Sequence, residues 1–157
     1  MSKDFDMTPT SGVMQNHVHR LPLRIYFEDT DITGVVYHAN YVRYFERGRT
    51  DFLRVMGFDY RTFTEGGHVF AIRSLNIDYL LPAEIDNALV VETRVHEVRA
   101  AVLDMRQRLV RGTTVLAEAT LKVVTLDANM RPRRMPKDMA AYCKAELITD
   151  WPEIEVG

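Results

Sequence analysis

The chain has 157 residues, of which 46% are hydrophobic and 27% are charged, the length and composition of one globular domain. Its 20 basic and 22 acidic residues leave a net charge of −2, which offers no overall positive field for nucleic acid or an anionic membrane. The single cysteine, Cys143, excludes an intrachain disulfide and a thiolate zinc cluster. No apolar stretch approaches the roughly 18 residues of a membrane-spanning helix, and no secretory pattern is visible. We therefore expect a cytoplasmic protein with no transmembrane segment and no nucleic-acid partner.

The first twenty residues are polar, with a proline and a glycine among them. We expect residues 1–20 to form a flexible tail that precedes a single domain over residues 21–150. His17 and His19 have the spacing of a short metal-binding pair, but two histidines without a third ligand are more typical of a solvated tail. We therefore predict no metal site.

Hydrophobic periodicity then predicts a strand followed by a helix. Residues 23–27 alternate between hydrophobic and other side chains, which is the period of a half-buried strand. From Asn40 onwards, hydrophobic residues recur at spacings of three and four, and Gly57 supplies a stop signal. These features predict a long amphipathic helix with Asn40 as its N-cap, lying against a sheet.

Four further strands and a short terminal helix are predicted after this helix. The strands cover residues 69–80, 88–98, 100–111 and 114–126. Their short connections imply antiparallel pairing, because parallel pairs need long crossovers. The predicted fold class is α+β, with a curved five-stranded antiparallel sheet wrapped around one long helix. The terminal helix is expected over residues 138–147.

The loop between the first strand and the helix, residues 28–41, is the candidate site. It brings together two aspartates, a glycine turn, a histidine and the start of a helix. Aspartates in short loops often only cap a helix or bond their own backbone, but Asp31 lies nine positions before Asn40. A carboxylate beside the free N–H groups of a helix start suits acyl transfer at an electron-rich carbonyl.

The same residues carry a family resemblance. The motifs are RIYFEDTD at 24–31, GVVYHANY at 34–41, FERGRT at 45–50, IDYLLPA at 77–83 and RPRRMP at 131–136. Together they resemble the signature of the YbgC-like acyl-CoA thioesterases associated with the Tol-Pal system, within the 4-hydroxybenzoyl-CoA thioesterase family. The resemblance implies the hotdog fold, hydrolysis of acyl-CoA without a cofactor or metal, and a homodimer or homotetramer with active sites between subunits. The departures are Ile32-Thr33, where small residues are usual, and Gly48, where alanine is usual.

The resemblance also assigns roles within the loop. Asp31 matches the catalytic carboxylate, acting as nucleophile or general base, and His38 matches the active-site histidine. We expect the His38 backbone N–H, with that of a neighbour, to polarise the thioester carbonyl. Asp29 is expected to bond loop backbone and hold Asp31 in place, and Tyr37 and Tyr41 to form walls of the substrate pocket.

Other charged residues are open to two interpretations. Glu46 is an alternative carboxylate on the helix, but the arginines around it favour an ion-paired surface. Arg131, Arg133 and Arg134 follow the last strand and suit the phosphates of coenzyme A, although a solvated turn explains them equally well. His68 and His96 are interpreted as ordinary sheet residues.

Two other functions are compatible with the fold. A non-catalytic protein that binds acyl-CoA or an acyl carrier protein, in partnership with envelope lipid enzymes, is one alternative. The intact Asp31 and His38 argue against it. A hotdog hydratase is the other, but hydratases resemble a different motif with wider spacing. The preferred acyl chain length is not predicted by these motifs.

Overall fold

The computed structural model describes residues 4–154. One sheet contains six strands, in the spatial order β1-β2-β4-β5-β6-β3, with antiparallel pairing throughout. The strands are β1 Val13–Gln15, β2 Val18–Arg24, β3 Val69–Tyr79, β4 Ala88–Val98, β5 Val102–Arg111 and β6 Thr114–Leu126. The α-helices are α1 Asn40–Val55, α2 Tyr60–Glu65 and α3 Lys137–Ala145, and a 3-10 turn spans Phe27–Asp29. Within residues 4–154, no helix is long and apolar enough to cross a membrane.

Helix α1 packs on one face of the sheet, against β2, β4 and β5. Its buried residues recur at helical spacing and form the predicted apolar stripe: Tyr41, Tyr44, Phe45, Gly48 and Phe52. Gly48 permits the close approach, because an added Cβ there would lie 2.6 Å from the Cγ1 atom of Val91 on β4. The helix stops before Gly57, whose φ of +95° is a conformation that favours glycine. The long amphipathic helix is therefore confirmed.

The four strands after α1 form close to their predicted positions, but β3 pairs with β6 at the edge of the sheet and not with β4, the next strand along the chain. The inward side chains of β6, Ala117, Ala119, Leu121 and Val123, are all buried. They alternate with outward side chains such as Glu118 and Lys122 that are exposed. The order of the strands leaves β1 at one edge and β3 at the other.

The N-terminal part of the chain differs from the prediction. Residues 13–20 belong to the sheet instead of a flexible tail, since β1 and β2 form a hairpin whose turn residues, Asn16 and His17, have φ angles of 51° and 65°. The sheet consequently has six strands and not five. His19 is fully buried, and its Nε2 atom lies 2.7 Å from the carbonyl oxygen of Ser11. The sequence analysis did not predict this strand, because its polar residues suggested a solvated segment. A histidine that is hydrogen-bonded to a backbone carbonyl can nevertheless be buried in a sheet.

The first long strand and the helices also show smaller differences. Strand β2 ends at Arg24, so the alternating residues at 25–27 lie in the loop. Helix α2 was not predicted, since it has only six residues and one buried side chain, Phe63. Its local signal is Asp59, whose carboxylate accepts a hydrogen bond from the Thr62 amide at 2.8 Å. The terminal helix α3 lies close to its predicted position.

Candidate active site

Asp29 organises the loop between β2 and α1. Its carboxylate accepts a hydrogen bond from the Tyr26 amide at 2.7 Å. Its backbone carbonyl accepts two more, from the Tyr37 amide and from the side-chain amide of Asn40, both at 2.9 Å. The N-cap prediction for Asn40 is therefore wrong: Ala39 occupies the cap position, and the Asn40 side chain ties the start of α1 to the loop. These bonds hold the loop against the N-terminal start of α1.

Asp31 lies at the tip of this loop in a tight turn. Its amide donates to the Val35 carbonyl at 2.9 Å, and its carbonyl accepts from the Gly34 amide at 3.0 Å, with Gly34 at a φ of +82°. Its carboxylate Oδ1 accepts from the Thr33 amide at 2.8 Å and from the Thr33 hydroxyl at 2.5 Å. Those two bonds lower the pKa of Asp31, and the nearby His38 lowers it further. Asp31 is exposed, so it presents an ionised carboxylate to solvent.

His38 and Ala39 stand at the start of α1 and supply donors. Within residues 4–154, neither backbone amide donates a hydrogen bond to another residue. Free N–H groups at a helix start, with the positive end of the helix dipole, favour a carbonyl oxygen that gains negative charge. The arrangement thus places an ionised carboxylate and unpaired donors on one short segment.

Tyr79 completes the surroundings of His38 and was not identified from the sequence. Its hydroxyl donates to the His38 carbonyl at 2.8 Å, and its ring centroid lies 6.4 Å from that of the histidine. Tyr37 is half exposed and lies beside the same imidazole, at 4.6 Å between ring centroids. Tyr41 is buried, accepts a hydrogen bond from the Ala83 amide at 3.1 Å, and packs edge-on to Tyr79. Tyr41 therefore supports the site from the core, whereas Tyr37 lies at its surface.

A second feature is a cavity of about 400 Å³ between α1, α2 and β3. Its interior is formed by buried apolar side chains, including Phe52, Phe63, Leu103 and Met105. Neither Asp31 nor His38 is among the residues that line it. The cavity instead begins further along α1, at Glu46.

Glu46 does not form the ion pairs that its neighbours suggested. Within residues 4–154, none of the ion pairs closer than 4.0 Å includes it. The nearby Arg49 donates instead to the side-chain oxygen of Gln107 at 3.0 Å. Glu46 is exposed at the mouth of the cavity, and His68, expected to be an ordinary sheet residue, lines the same cavity just before β3 begins.

The arginines at 131, 133 and 134 are exposed and lie away from Asp31. The Arg133 guanidinium donates to the carbonyls of Gly66 and Gly67, at 3.1 and 2.9 Å, just before β3 begins at Val69. The site around His38 contacts Tyr79 at the other end of the same strand. At about 3.3 Å per residue, the ten steps from residue 69 to residue 79 span roughly 33 Å. A single chain therefore does not bring the arginines to the catalytic loop.

No cluster that suits a metal ion is formed by the histidine, cysteine, aspartate and glutamate side chains of residues 4–154. Cys143 is buried, and burial raises the pKa of its thiol to about 12. This side chain is therefore a protonated core residue instead of a nucleophile.

Comparison with known proteins identifies the family. A family model described as the thioesterase-like superfamily matches residues 25–142. The chain belongs to this superfamily. Its similar members include an acyl-CoA thioesterase YbgC of Haemophilus influenzae, 45% identical over 76% of this chain and 90% of the relative. An acyl-CoA thioester hydrolase YbgC of Escherichia coli is 38% identical over 83% of this chain and 99% of the relative.

Solved structures of the superfamily agree with the fold. A probable thioesterase from Bartonella henselae is 37% identical, with a TM-score of 0.73 over 76% of this chain and 99% of the other. A 4-hydroxybenzoyl CoA thioesterase mutant complexed with 4-hydroxybenzoyl CoA has a TM-score of 0.75 at 24% identity, which shows the fold alone. The superfamily and the hotdog fold predicted from the motifs are thus confirmed, with six strands in place of five.

Proposed function

We propose that the protein is an acyl-CoA thioester hydrolase whose chemistry is carried by the loop before α1. The observation that carries this proposal is the Asp31 carboxylate, whose pKa is lowered by Thr33 and by the nearby His38, on the same short segment as the free amides of His38 and Ala39. The relatives at 38–45% identity, which are named acyl-CoA thioesterase or thioester hydrolase, support the same substrate class. This chemistry needs neither a metal nor a cofactor.

The proposed reaction begins with the thioester carbonyl against the free amides at the start of α1. Oxygen attack on the carbonyl carbon moves charge onto the carbonyl oxygen, where the two N–H groups stabilise it. Collapse of this intermediate breaks the C–S bond and releases the coenzyme A thiolate, which takes up a proton. Water supplies the oxygen of the free acid.

The role of Asp31 in the attack depends on its basicity. A general base works best when its pKa lies near the working pH, whereas the pKa of Asp31 is lowered by Thr33. An ionised carboxylate of low basicity fits direct attack better, with water then hydrolysing the resulting anhydride. We therefore propose that Asp31 is the nucleophile.

The first test replaces this carboxylate. Asp31→Asn should keep the fold and lower kcat by at least about a hundredfold on the best acyl-CoA, the usual scale for loss of a nucleophile or base. Release of free thiol from a panel of acyl-CoA substrates is the measurement. Asp29→Asn is the matched control, because its amide oxygen still accepts from the Tyr26 amide at the loop base. Near wild-type turnover by Asp31→Asn on that substrate would refute the assignment.

The same assay separates the alternatives. A non-catalytic binder of acyl-CoA or acyl carrier protein would release no thiol from any thioester. A hydratase would add water to an enoyl-CoA without releasing thiol, which a parallel hydration assay detects. The cytoplasmic location, the acyl carrier protein as a partner and the link to the Tol-Pal system are predictions that rest on the sequence and its resemblance.

We also propose that the active unit is a homodimer formed through the exposed edge of β3. This edge is 11 residues long, and the strand carries exposed hydrophobic side chains, among them Ile72, Leu75 and Tyr79. Unpaired edges of this length favour pairing with another strand. A two-fold axis through the strand makes the pairing antiparallel, so the Val69 end of one chain lies beside the Tyr79 end of its partner. The arginines at 131, 133 and 134 would then serve the Asp31 of the other subunit.

A further inference from the structure

We propose that the cavity between α1, α2 and β3 is a binding site for a free monocarboxylic acid with an apolar tail, and that the carboxylate of this acid pairs with Arg49. The binding itself does not depend on the proposed thioesterase activity. One consequence does rest on that function. A thioester hydrolase releases free acids, so the product of the reaction would occupy the cavity.

Arg49 contributes a guanidinium group to the wall of this cavity, and the protein holds that group in place. Its Nη1 atom donates to the side-chain oxygen of Gln107 at 3.0 Å. The Gln107 amide is itself fixed, because its nitrogen donates to the Phe45 carbonyl at 2.8 Å and to the Thr93 hydroxyl at 2.9 Å. Gln107 is 1% exposed. The guanidinium is therefore held in position before any ligand binds.

Most of the hydrogen-bonding capacity of this guanidinium is unused. An arginine side chain carries several N–H donors, but within residues 4–154 the Arg49 side chain donates to Gln107 alone. Among the same residues, no carboxylate forms an ion pair with Arg49 closer than 4.0 Å. The other two nitrogen atoms of the guanidinium are not sealed from solvent. A ligand in the cavity can therefore reach them.

The partial burial of Arg49 favours an anionic ligand. Burial lowers the pKa of Arg49, whereas the negative charge of Glu46 acts in the opposite direction. The guanidinium stays protonated, because its ordinary pKa is above about 12. A cation that has lost part of its water gains more from a contacting anion than a cation on the open surface does. Glu46 is exposed and farther than ion-pair distance, so it leaves this contact to a ligand.

The rest of the cavity suits an apolar tail. Its interior includes the buried side chains of Phe52, Leu103 and Met105. Phe63 and Phe70 stack in parallel, with 3.9 Å between ring centroids, and add a flat apolar wall. An apolar cavity of about 150 Å³ holds benzene, so the present volume of about 400 Å³ accommodates a tail of roughly ten carbons.

The charges around the cavity favour a ligand with a single negative charge. Glu46 and Asp59 both line the cavity and are exposed, and the Thr62 amide lowers the pKa of Asp59, so its carboxylate is ionised. A dianionic phosphate would meet these two carboxylates with one guanidinium to balance it. The planar guanidinium also matches the two oxygen atoms of a carboxylate. A monocarboxylate with an apolar tail therefore fits the cavity better than a phosphate does.

The test is titration calorimetry of the full chain with decanoate and with decan-1-ol, which has the same tail and no charge. The wild-type protein should bind decanoate at least about tenfold more tightly than the alcohol, the usual scale for hydrogen bonds to a charged group. Arg49→Gln should remove this difference. Arg47→Gln is the matched control, since Arg47 is an exposed arginine of α1 that does not line the cavity. It should leave the difference unchanged.

A second variant changes the affinity in the other direction, which a folding defect does not imitate. Glu46→Gln removes the competing negative charge and should tighten the binding of decanoate about two- to fivefold, with no effect on decan-1-ol. Equal affinities of the wild-type protein for the two compounds, or decanoate binding that is unchanged in Arg49→Gln, would overturn the inference. Tighter binding of decyl phosphate than of decanoate would do the same. None of these results changes the release of thiol from acyl-CoA, whose absence would overturn the proposed function and leave the acid site standing.

Discussion

Thr33 stabilises the ionised form of the candidate nucleophile. Its amide and hydroxyl both bond the Asp31 carboxylate, and they are the main causes of the lowered pKa. Thr33 is one of the residues that depart from the family motif, where small side chains are usual. The departure therefore supplies a hydroxyl donor to the carboxylate instead of merely altering the shape of the loop.

The donors at the start of α1 can be tested one amide at a time. Ala39 has a φ of −70°, which proline also adopts, so Ala39→Pro removes the N–H with little change to that torsion. We expect kcat to fall about a hundredfold, the usual effect of removing one oxyanion donor. Ala39→Gly keeps the amide and is the control. Equal kcat values for the two variants would show that the Ala39 amide does not contact the reacting oxygen.

His19 makes stability depend on pH. Burial lowers its pKa below the ordinary value, although its bond to Ser11 acts in the opposite direction. The unfolded chain then binds a proton more readily than the folded one, so stability is full above the ordinary histidine pKa and is lost as the pH falls through the folded value. The midpoint of thermal unfolding should decrease from pH 7 to pH 5.

A variant identifies His19 as the source of this dependence. His19→Gln has no group that titrates in this range, and its midpoint should vary less between pH 7 and pH 5 than that of the wild-type protein. His96→Gln is the matched control on β4, because His96 is partly exposed. A pH dependence that is unchanged in His19→Gln would assign the effect to other groups.

At the level of elements, Gly48 sets how closely α1 approaches the sheet. The space beneath it holds Gln107, which donates to the Phe45 carbonyl at 2.8 Å and to the Thr93 hydroxyl at 2.9 Å. Gly48→Ala would place a methyl group 2.6 Å from the Cγ1 of Val91, a stiff β-branched side chain. Overpacking costs about 1–3 kcal/mol and alanine regains about 1 kcal/mol of helix propensity, so the free energy of unfolding should fall by about 1 kcal/mol.

A double-mutant cycle tests the cause by denaturant unfolding. Val91→Ala removes the closest contact of the added methyl group and leaves the Thr93 hydroxyl at 3.0 Å and the Gln107 side-chain nitrogen at 3.1 Å, so Gly48→Ala should cost less in this background than in the wild-type protein. The same loss in both backgrounds would mean that the glycine serves another purpose. That result would mean that the loss of stability comes from disturbing the hydrogen bonds of Gln107 and not from the close approach of α1 to Val91.

On the scale of the whole molecule, the arginines should act across the dimer. Light scattering should give about twice the 18.1 kDa mass of one chain. A chain with Arg131→Ala and Arg134→Ala should have a raised KM for acyl-CoA and a nearly unchanged kcat, because phosphate contacts are equally present before and during reaction. An acyl-pantetheine substrate, which lacks the nucleotide, should not distinguish this variant from the wild-type protein.

Mixing two inactive or weakened chains tests the arrangement directly. In a heterodimer of the arginine variant with Asp31→Asn, one site combines an intact Asp31 with intact arginines from the other subunit. That site should have the wild-type KM. The heterodimer should reach at most half of the wild-type kcat, because only one of its two sites is intact. A fully active monomer, or a mixture that keeps the raised KM, would mean that coenzyme A binds to arginines of the same chain or to other basic residues.

The sequence by itself determined the elements that depend on local patterns. Period-two and helical spacings predicted the strands after residue 69 and the long helix α1, because each pattern reflects one buried face. The spacing of Asp31 before the helix start predicted a carboxylate and free amides on one short loop, because turn residues and helix ends act within a few positions. The superfamily motifs agree with both.

Only the tertiary structure decided the features that join distant parts of the chain. Tyr79 meets His38 across 41 positions, and the cavity collects residues from two helices and three strands, so neither has a local signal. The N-terminal hairpin was not predicted for the same reason: His19 is buried only because the Ser11 carbonyl bonds its Nε2 atom and the sheet covers the ring. Side-chain patterns report one buried face of a segment, whereas a site assembled by packing depends on contacts that are made only once the sheet has formed.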